Sequence, residues 1–438
     1  MKVWVIGAGL AGCEAAWQLA QNGIEVDLFE MKPEKYTPAH HYSGFAELVC
    51  SNSLKAARLG SAAGLLKHEM KRLGSLIIPC AEACSVAAGG ALAVDRAKFS
   101  DLVTEKIKNN PNITIHTGEV SQIPDIGYVV IATGPLTSDA LASEIQKLCG
   151  GLNYLSFYDA AAPIVTAESI DMDCAFLASR YDRGDADYIN CPMDREEYEL
   201  FYHELINAEA VSLKSFEQDA PTVYEGCMPV EIMAKRGEDT LRFGPLKPVG
   251  LRDPRTGHRP WANLQLRKEN AGGSMYNLVG FQTNLKFGEQ KRVFGLIPAL
   301  RNAEFVRYGV MHRNTFLDSP RLLDCHYRLK RDSRISFAGQ MTGVEGYIES
   351  AASGLYVGFT LSRFLQKKPE ITLPGDTMLG ALSNYISDES VINFQPMGCN
   401  MGILPPLPER VRDKQARYQM IAERAMNSLE QTLDRYGV

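Results

Sequence analysis

Two cysteines and one glycine run supply the residue types from which chemistry can be built. Cys50 stands in Val49-Cys50-Ser51-Asn52-Ser53, among hydroxyl and amide neighbours, and Cys227 stands in Glu225-Gly226-Cys227-Met228-Pro229-Val230-Glu231. The thiolate is the reactive form of cysteine, so a nearby cation or helix N-terminus that lowers the ordinary pKa of ~8.5 would activate either one. A lone cysteine is more often an inert buried side chain, and the residues alone leave that alternative open. The glycine run Gly7-Ala8-Gly9-Leu10-Ala11-Gly12 is more specific because of what surrounds it. It follows the apolar stretch Val3-Trp4-Val5-Ile6, and an acid, Glu30, closes the next stretch, Val26-Asp27-Leu28-Phe29-Glu30. In a βαβ unit the first glycine permits the tight turn, the second lets backbone approach a pyrophosphate, and the third lets helix pack on strand. The helix N-terminus then faces the phosphates, and Glu30 is placed to accept a ribose hydroxyl.

The elements that must position these residues read as two kinds of rhythm. The spacing predicts a helix over Glu14–Gln21, a long polar loop over Pro33–Gly60, and helices over Ala62–Leu73 and Ala97–Asn109. Strands follow at Ile113–His116 and Tyr128–Gly134, the second almost wholly apolar, as a buried parallel strand should be. Beyond Pro135 the rhythm changes. A helix over Asp194–Asn207 is mixed with short strands broken by Pro and Gly, such as Leu241–Leu251 and Asn277–Thr283, which suits an α+β domain with an antiparallel sheet. A buried strand returns at Ile335–Gln340, a turn spans Met341–Glu349, and apolar and amphipathic helices follow over Ser350–Leu365 and Glu409–Arg435. The expected class is therefore α/β: a Rossmann domain in two halves, residues 1–160 and 325–438, split by an inserted substrate- or RNA-facing α+β domain over 161–324.

Composition bounds the partners. At 438 residues one ordinary core is too small. Hydrophobic content of 45% with 22% charged residues describes a soluble protein, and no apolar run approaches the ~20 residues a bilayer needs, so a cytoplasmic protein without membrane contact is expected. The ten cysteines lack C-x-x-C pairs, and no His set completes a zinc site, so no metal is expected. Charge is uneven: Glu231–Arg334 holds 20 Lys and Arg against 10 Asp and Glu, a surplus of ten in a chain of net −6. A basic middle in an acidic protein points to a polyanion met by one region.

Two resemblances sharpen this. Ala132-Thr133-Gly134, Phe337-Ala338-Gly339-Gln340 and Gly343-Val344-Glu345-Gly346-Tyr347 resemble the further FAD contacts of glutathione-reductase-type flavoproteins, although the usual acid after F-A-G is here Gln340. No second G-x-G-x-x-G is present, which disfavours a disulfide reductase with two nucleotide domains. Longer segments, among them F-A-E-L-V-C-S-N-S, A-G-G-A-L-A-V-D-R, A-T-G-P-L-T-S, G-P-L-K-P-V-G-L, V-G-F-Q-T, R-Y-G-V-M-H-R-N-T and G-V-E-G-Y-I-E-S-A, look like the folate- and FAD-dependent tRNA uracil-5-methyltransferases. They span Gly7 to Ala351. The resemblance implies methylation of uridine 54 in the tRNA T-loop to 5-methyluridine, with 5,10-methylenetetrahydrofolate as carbon donor and FADH2, recharged by NAD(P)H, as reductant.

Carried over residue by residue, it makes Cys227 the thiolate that adds to the uracil 6-carbon and Cys50 a second functional cysteine near the flavin. It gives Gly7, Ala8, Gly9, Leu10, Ala11, Gly12, Glu30, Thr133, Gly134, Gly339, Gln340, Gly346 and Tyr347 to the cofactor. It makes Gln282, Lys286, His312, Arg313 and Asn314 candidates for the folate or RNA site, and the T-arm of tRNA the partner of the basic region. Rival readings keep the chemistry on ribosomal RNA, move it to carboxymethylaminomethyl modification of wobble uridine, or leave a flavin-binding RNA chaperone without catalysis. The wobble-uridine family is longer, and both cysteines at matching positions weigh against the chaperone.

Overall fold

In the computed structural model, which describes residues 2–125, 127–150, 155–160, 162–182, 185–211, 228–309, 311–391 and 394–438, the opening apolar stretch becomes the strand Lys2–Ile6. Val3 and Val5 are fully buried, and the strand pairs in parallel with Glu25–Glu30 on one side and Tyr128–Ile131 on the other. Ile113–Thr117 extends the sheet beyond Glu25–Glu30, and Asp332–Phe337 extends it beyond Tyr128–Ile131. Only the edge strand Arg328–Leu329 is antiparallel. The central strand Tyr128–Ile131 is almost wholly apolar, with Val129, Val130 and Ile131 fully buried, the expected pattern for a buried parallel strand. All five parallel strands end on the same edge of the sheet.

The helix Leu10–Gln21 packs along the long helix Tyr347–Leu365. Small residues permit this: a Cβ at Gly354 would strike the Ala11 carbonyl, and one at Gly358 would meet the Ala15 carbonyl oxygen at 2.6 Å. The apolar helix thus starts at Tyr347, three residues before the expected Ser350, because the turn closes at Gly346 with φ 118°. Three helices not anticipated, Ile77–Ala83, Asp139–Leu148 and Met378–Ser387, complete this core. The carboxyl of the fully buried Glu69 accepts the Met378 and Leu379 N–H groups at 2.7 and 2.8 Å, and burial pushes it up to about 8. The last helix is Lys414–Arg435, capped by Asp413.

Residues 162–309 build a second core around a six-stranded antiparallel sheet. Its order is Phe176–Leu177, Tyr188–Met193, Ala262–Lys268, Met275–Leu278, Ile164–Thr166 and Phe305–Arg307. Phe201, Phe281, Phe294, Leu264 and Leu266 are fully buried there. The helix Arg195–Asn207 starts on a reciprocal cap, with Asp194 accepting the Glu197 N–H and Glu197 accepting that of Asp194, both at 2.8 Å. Leu241–Leu251 is not a strand. Thr240–Phe243 forms one helical turn, and Gly244, Pro245, Pro248 and Gly250 then carry the chain through turns that no ladder pairs. Of Asn277–Thr283 only the first two residues lie in a strand. A ribbon of Leu155–Ala160 paired antiparallel with Met311–Phe316 joins the two cores. Among the described residues no helix is long and apolar enough to cross a membrane.

Candidate functional site

A cavity of about 460 Å³ lies across the edge where the five parallel strands end. From one side to the other it passes Gly339 after Asp332–Phe337, Thr133 and Gly134 after Tyr128–Ile131, Gly7 to Ala11 after Lys2–Ile6, Met31 and Lys32 after Glu25–Glu30, and Gly118 after Ile113–Thr117. Five strands at the usual ~4.8 Å spacing span roughly 19 Å, so the opening has the length of an extended dinucleotide.

The glycine run behaves as its spacing requires. Gly7 has φ 98°, and a Cβ there would sit 2.7 Å from the Ala132 carbonyl oxygen; one at Gly12 would strike the Gly7 carbonyl; one at Gly9 would meet nothing within 4 Å. The middle glycine therefore leaves its space to a ligand. Gly9 caps the helix Leu10–Gln21 without a side-chain hydrogen bond, and no acid stands in the first turn, so the helix N-terminus is available to an anion. Glu30 accepts the Ala8 N–H at 2.9 Å on one oxygen and the Lys32 N–H at 2.9 Å on the other. It braces the glycine turn, and an ionised carboxylate keeps further lone pairs for a ribose hydroxyl.

Gln340 donates to both oxygens of Glu345 at 2.8 and 2.7 Å, so the carboxylate that the motif lacks at position 340 arrives from five residues downstream. Beside it the Lys55 ammonium holds Glu349 at 2.5 Å. The buried Lys32 ammonium donates to the Tyr42 and Gly44 carbonyls at 3.1 and 2.6 Å and pairs with Glu47 at 3.4 Å, which pins the polar loop over the cavity. His40, hydrogen-bonded to Thr37, also faces in, with burial holding its pKa down.

Cys50 opens onto the same cavity, next to Gly346 and Tyr347. The Tyr347 hydroxyl accepts the Cys50 N–H at 2.6 Å and the Ser51 N–H at 3.3 Å, and donates to Cys50 Sγ at 3.0 Å. Burial, then the neighbouring sulfur, pushes that hydroxyl well above its ordinary pKa, which keeps it a donor. Three arginines hold the surrounding chain. Arg96 donates to the Leu48 and Val49 carbonyls, Arg307 also to Val49, and Arg267 donates to Ser51 Oγ at 2.8 Å and Asn52 Oδ1 at 3.0 Å. Asn52, fully buried, donates to the carbonyls of Val94 at 3.0 Å and Lys268 at 2.9 Å. Glu269 pairs with Arg96, its carboxyl pushed up by burial. Sequence reasoning missed these arginines. No local signal could have found them: Arg267 alternates with Leu264 and Leu266 as a solvent-facing residue of an antiparallel strand would.

Cys227 lies outside the described residues, but the chain on each side of its segment is tied to one strip. The Val211 N–H donates to Asn284 O at 2.9 Å and the Val230 N–H to Gln282 O at 2.7 Å. Gln282 and Arg307, from the second core, line the cavity; Lys286 does not, and its ammonium pairs with Glu209 at 2.5 Å. His312, Arg313 and Asn314 pair through their backbones with Asp159, Tyr158 and Phe157, while their side chains lie outside the described residues. Much of the basic surplus is matched by acids, as in Arg328 with Asp324 and Glu370, Arg292 with Glu204 and Glu289, and Arg334 with Asp332.

The sequence profile of the glucose-inhibited division protein A family matches residues 2–369. Among similar proteins, one from Acetivibrio thermocellus is 59% identical over 99% of both chains, and one from Halalkalibacterium halodurans is 58% identical over 97% of both. Each is named methylenetetrahydrofolate--tRNA-(uracil-5-)-methyltransferase TrmFO. Among solved structures, Aquifex aeolicus GidA superimposes with a TM-score of 0.69 at 15% identity, over 99% of this chain and 76% of that one. That likeness carries the fold.

Proposed function

The chain belongs to the glucose-inhibited division protein A family, among its folate-dependent tRNA (uracil-5-)-methyltransferases, and from that premise we propose that it methylates the 5-carbon of a tRNA uridine, uridine 54 of the T-loop. FAD fits the sheet-edge cavity, held by the turn Gly7–Gly12, Glu30, Gly134, Gly339 and Gly346. Bound there in its reduced form, re-reduced by NAD(P)H, it would supply the hydride that completes a methyl group whose carbon comes from 5,10-methylenetetrahydrofolate.

The observation that carries this reading is Cys50. It is held by the Tyr347 hydroxyl at the end of the cavity where residues of both cores meet. Uracil's 5-carbon is a weak nucleophile until a thiolate adds at the 6-carbon, and Cys227 has that role. It stands three residues before Val230, whose N–H is bonded to Gln282 on the cavity wall, and three residues reach at most about 11 Å. Cys50 is the second thiol, and as a thiolate it would take the proton from the 5-carbon. The target base is stacked in a folded loop and must be extruded to reach both.

The test is incubation with labelled methylenetetrahydrofolate, NAD(P)H and unmodified transfer or ribosomal RNA, followed by nucleoside analysis and mapping. Label in 5-methyluridine of the tRNA T-loop, lost in Cys227→Ala, is the expected result. Label in no nucleoside refutes the reading.

A further inference from the structure

Outside the cavity, three rings form a ladder. Phe305 and Tyr308 have centroids 5.3 Å apart with planes 8° from parallel, and Tyr308 and Phe287 are 4.7 Å apart at 15°. This is unlike the buried ring cluster beneath it, where Phe201, Phe281 and Phe294 are sealed at 0% exposure: Phe287, the outer rung, is 52% exposed. The ladder is held stiffly. Buried Gln290 donates to the Gly309 and Leu285 carbonyls at 2.8 and 2.7 Å and accepts the Gly309 N–H at 2.8 Å, which locks the two segments that carry the rings. A half-exposed aromatic pre-set in this way can take a planar ligand with little ordering cost.

Its position selects the ligand. None of the three rings lines the cavity, yet Gln282 and Arg307, on the same two segments, do. Anything touching both must extend beyond the cavity, as a strand of RNA that feeds one base into it does. Of the five Lys and Arg in residues 282–309, Lys286 and Arg292 are paired with Glu209, Glu204 and Glu289, while Lys291 and Arg301 stand exposed, where they can meet a phosphate. The chain before and after the segment bearing Cys227 is bonded to Asn284 and Gln282, a few residues from Phe287.

We propose that the Phe305–Tyr308–Phe287 ladder is a base-stacking platform for RNA, on whose outer ring lies a nucleobase next to the extruded uridine. Extrusion strips that neighbour of its stacking partner, and the ring of Phe287 replaces it. The inference rests on the proposed RNA substrate.

The experiment compares full-length holoenzyme with Phe287→Ala and Phe287→Trp, using a T-arm RNA transcript that carries 2-aminopurine beside the target uridine. Phe287→Ala should weaken binding roughly 5- to 150-fold, the 1–3 kcal/mol that one base–aromatic stack contributes. It should raise KM for RNA more than it lowers kcat, and it should lose the quenching of 2-aminopurine. Phe287→Trp should restore all three, and matched melting temperatures separate this from misfolding. Equal RNA affinity and equal quenching in Phe287→Ala overturn the platform, as does a rise in KM for folate with RNA affinity intact. A wild-type protein that binds and quenches the RNA but transfers no label refutes the proposed activity and leaves the platform standing.

Discussion

Replacing Asn52 by Ala should break the joint between the two cores and disable Cys50 together. Asn52 is fully buried, and its amide bridges a carbonyl at the end of the strand Ala91–Val94, Val94 O at 3.0 Å, to one of the six-stranded antiparallel sheet, Lys268 O at 2.9 Å, while its oxygen accepts from Arg267 at 3.0 Å. Loss of a hydrogen bond to a charged group costs about 1.5–3 kcal/mol, and a buried carbonyl left without a donor costs about 1 kcal/mol more. The variant should therefore lose roughly 2.5–4 kcal/mol, which at about 2.1 cal/mol/K per residue over 438 residues lowers the melting temperature by about 3–4 °C. Two residues upstream, Cys50 would lose its fixed position, and a displacement near 1 Å costs about a hundredfold in rate. Calorimetry and single-turnover transfer of labelled carbon to tRNA measure the two effects. Asn52→Asp keeps the acceptor for Arg267 but turns a carboxylate toward both carbonyls, so it should not rescue stability. A melting temperature within about 1 °C of wild type together with an undiminished rate would refute the reasoning.

Three further perturbations follow from the same structure. Gly12→Ala would drive a Cβ into the Gly7 carbonyl, and the turn must open by an amount worth at least 1–3 kcal/mol; the purified protein should carry at least tenfold less flavin by visible absorbance. Tyr347→Phe removes the acceptor of the Cys50 and Ser51 N–H groups and the donor to Cys50 Sγ, so methyl transfer should fall by about 10- to 100-fold and alkylation of Cys50 by a maleimide should change in rate, as read by mass spectrometry. Glu69 stays protonated in the folded chain up to about 8, whereas an exposed glutamate ionises near 4.3. Its contribution is thus complete below about 4.3 and is lost at about 1.4 kcal/mol per pH unit as pH rises through about 8. Glu69→Gln should flatten the fall in melting temperature between pH 5 and pH 8, and equal slopes in the two proteins would refute this origin.

Sequence by itself determined the glycine-lined sheet edge of this protein, where the cavity lies. The run Gly7–Gly12, Glu30, Thr133-Gly134 and Gly339 were all legible because each is a local device: a turn, a helix start or a strand end whose backbone needs are met by neighbours in the chain. The alternation of strand and helix told the parallel sheet from the antiparallel one for the same reason, since period and turn residues are local. Leu241–Leu251 misled because strand-like residues there are overruled by turns that pack against the second core. Only tertiary structure decided the surroundings of Cys50. Tyr347 lies 297 residues from it, Arg267 is 216 residues from Ser51, and Arg307 is 258 from Val49. Nothing in a local window requires those partners, because the demand for them arises when burial strips water from the loop carbonyls and hydroxyls and leaves them to be satisfied by whichever donors the fold brings within 3 Å.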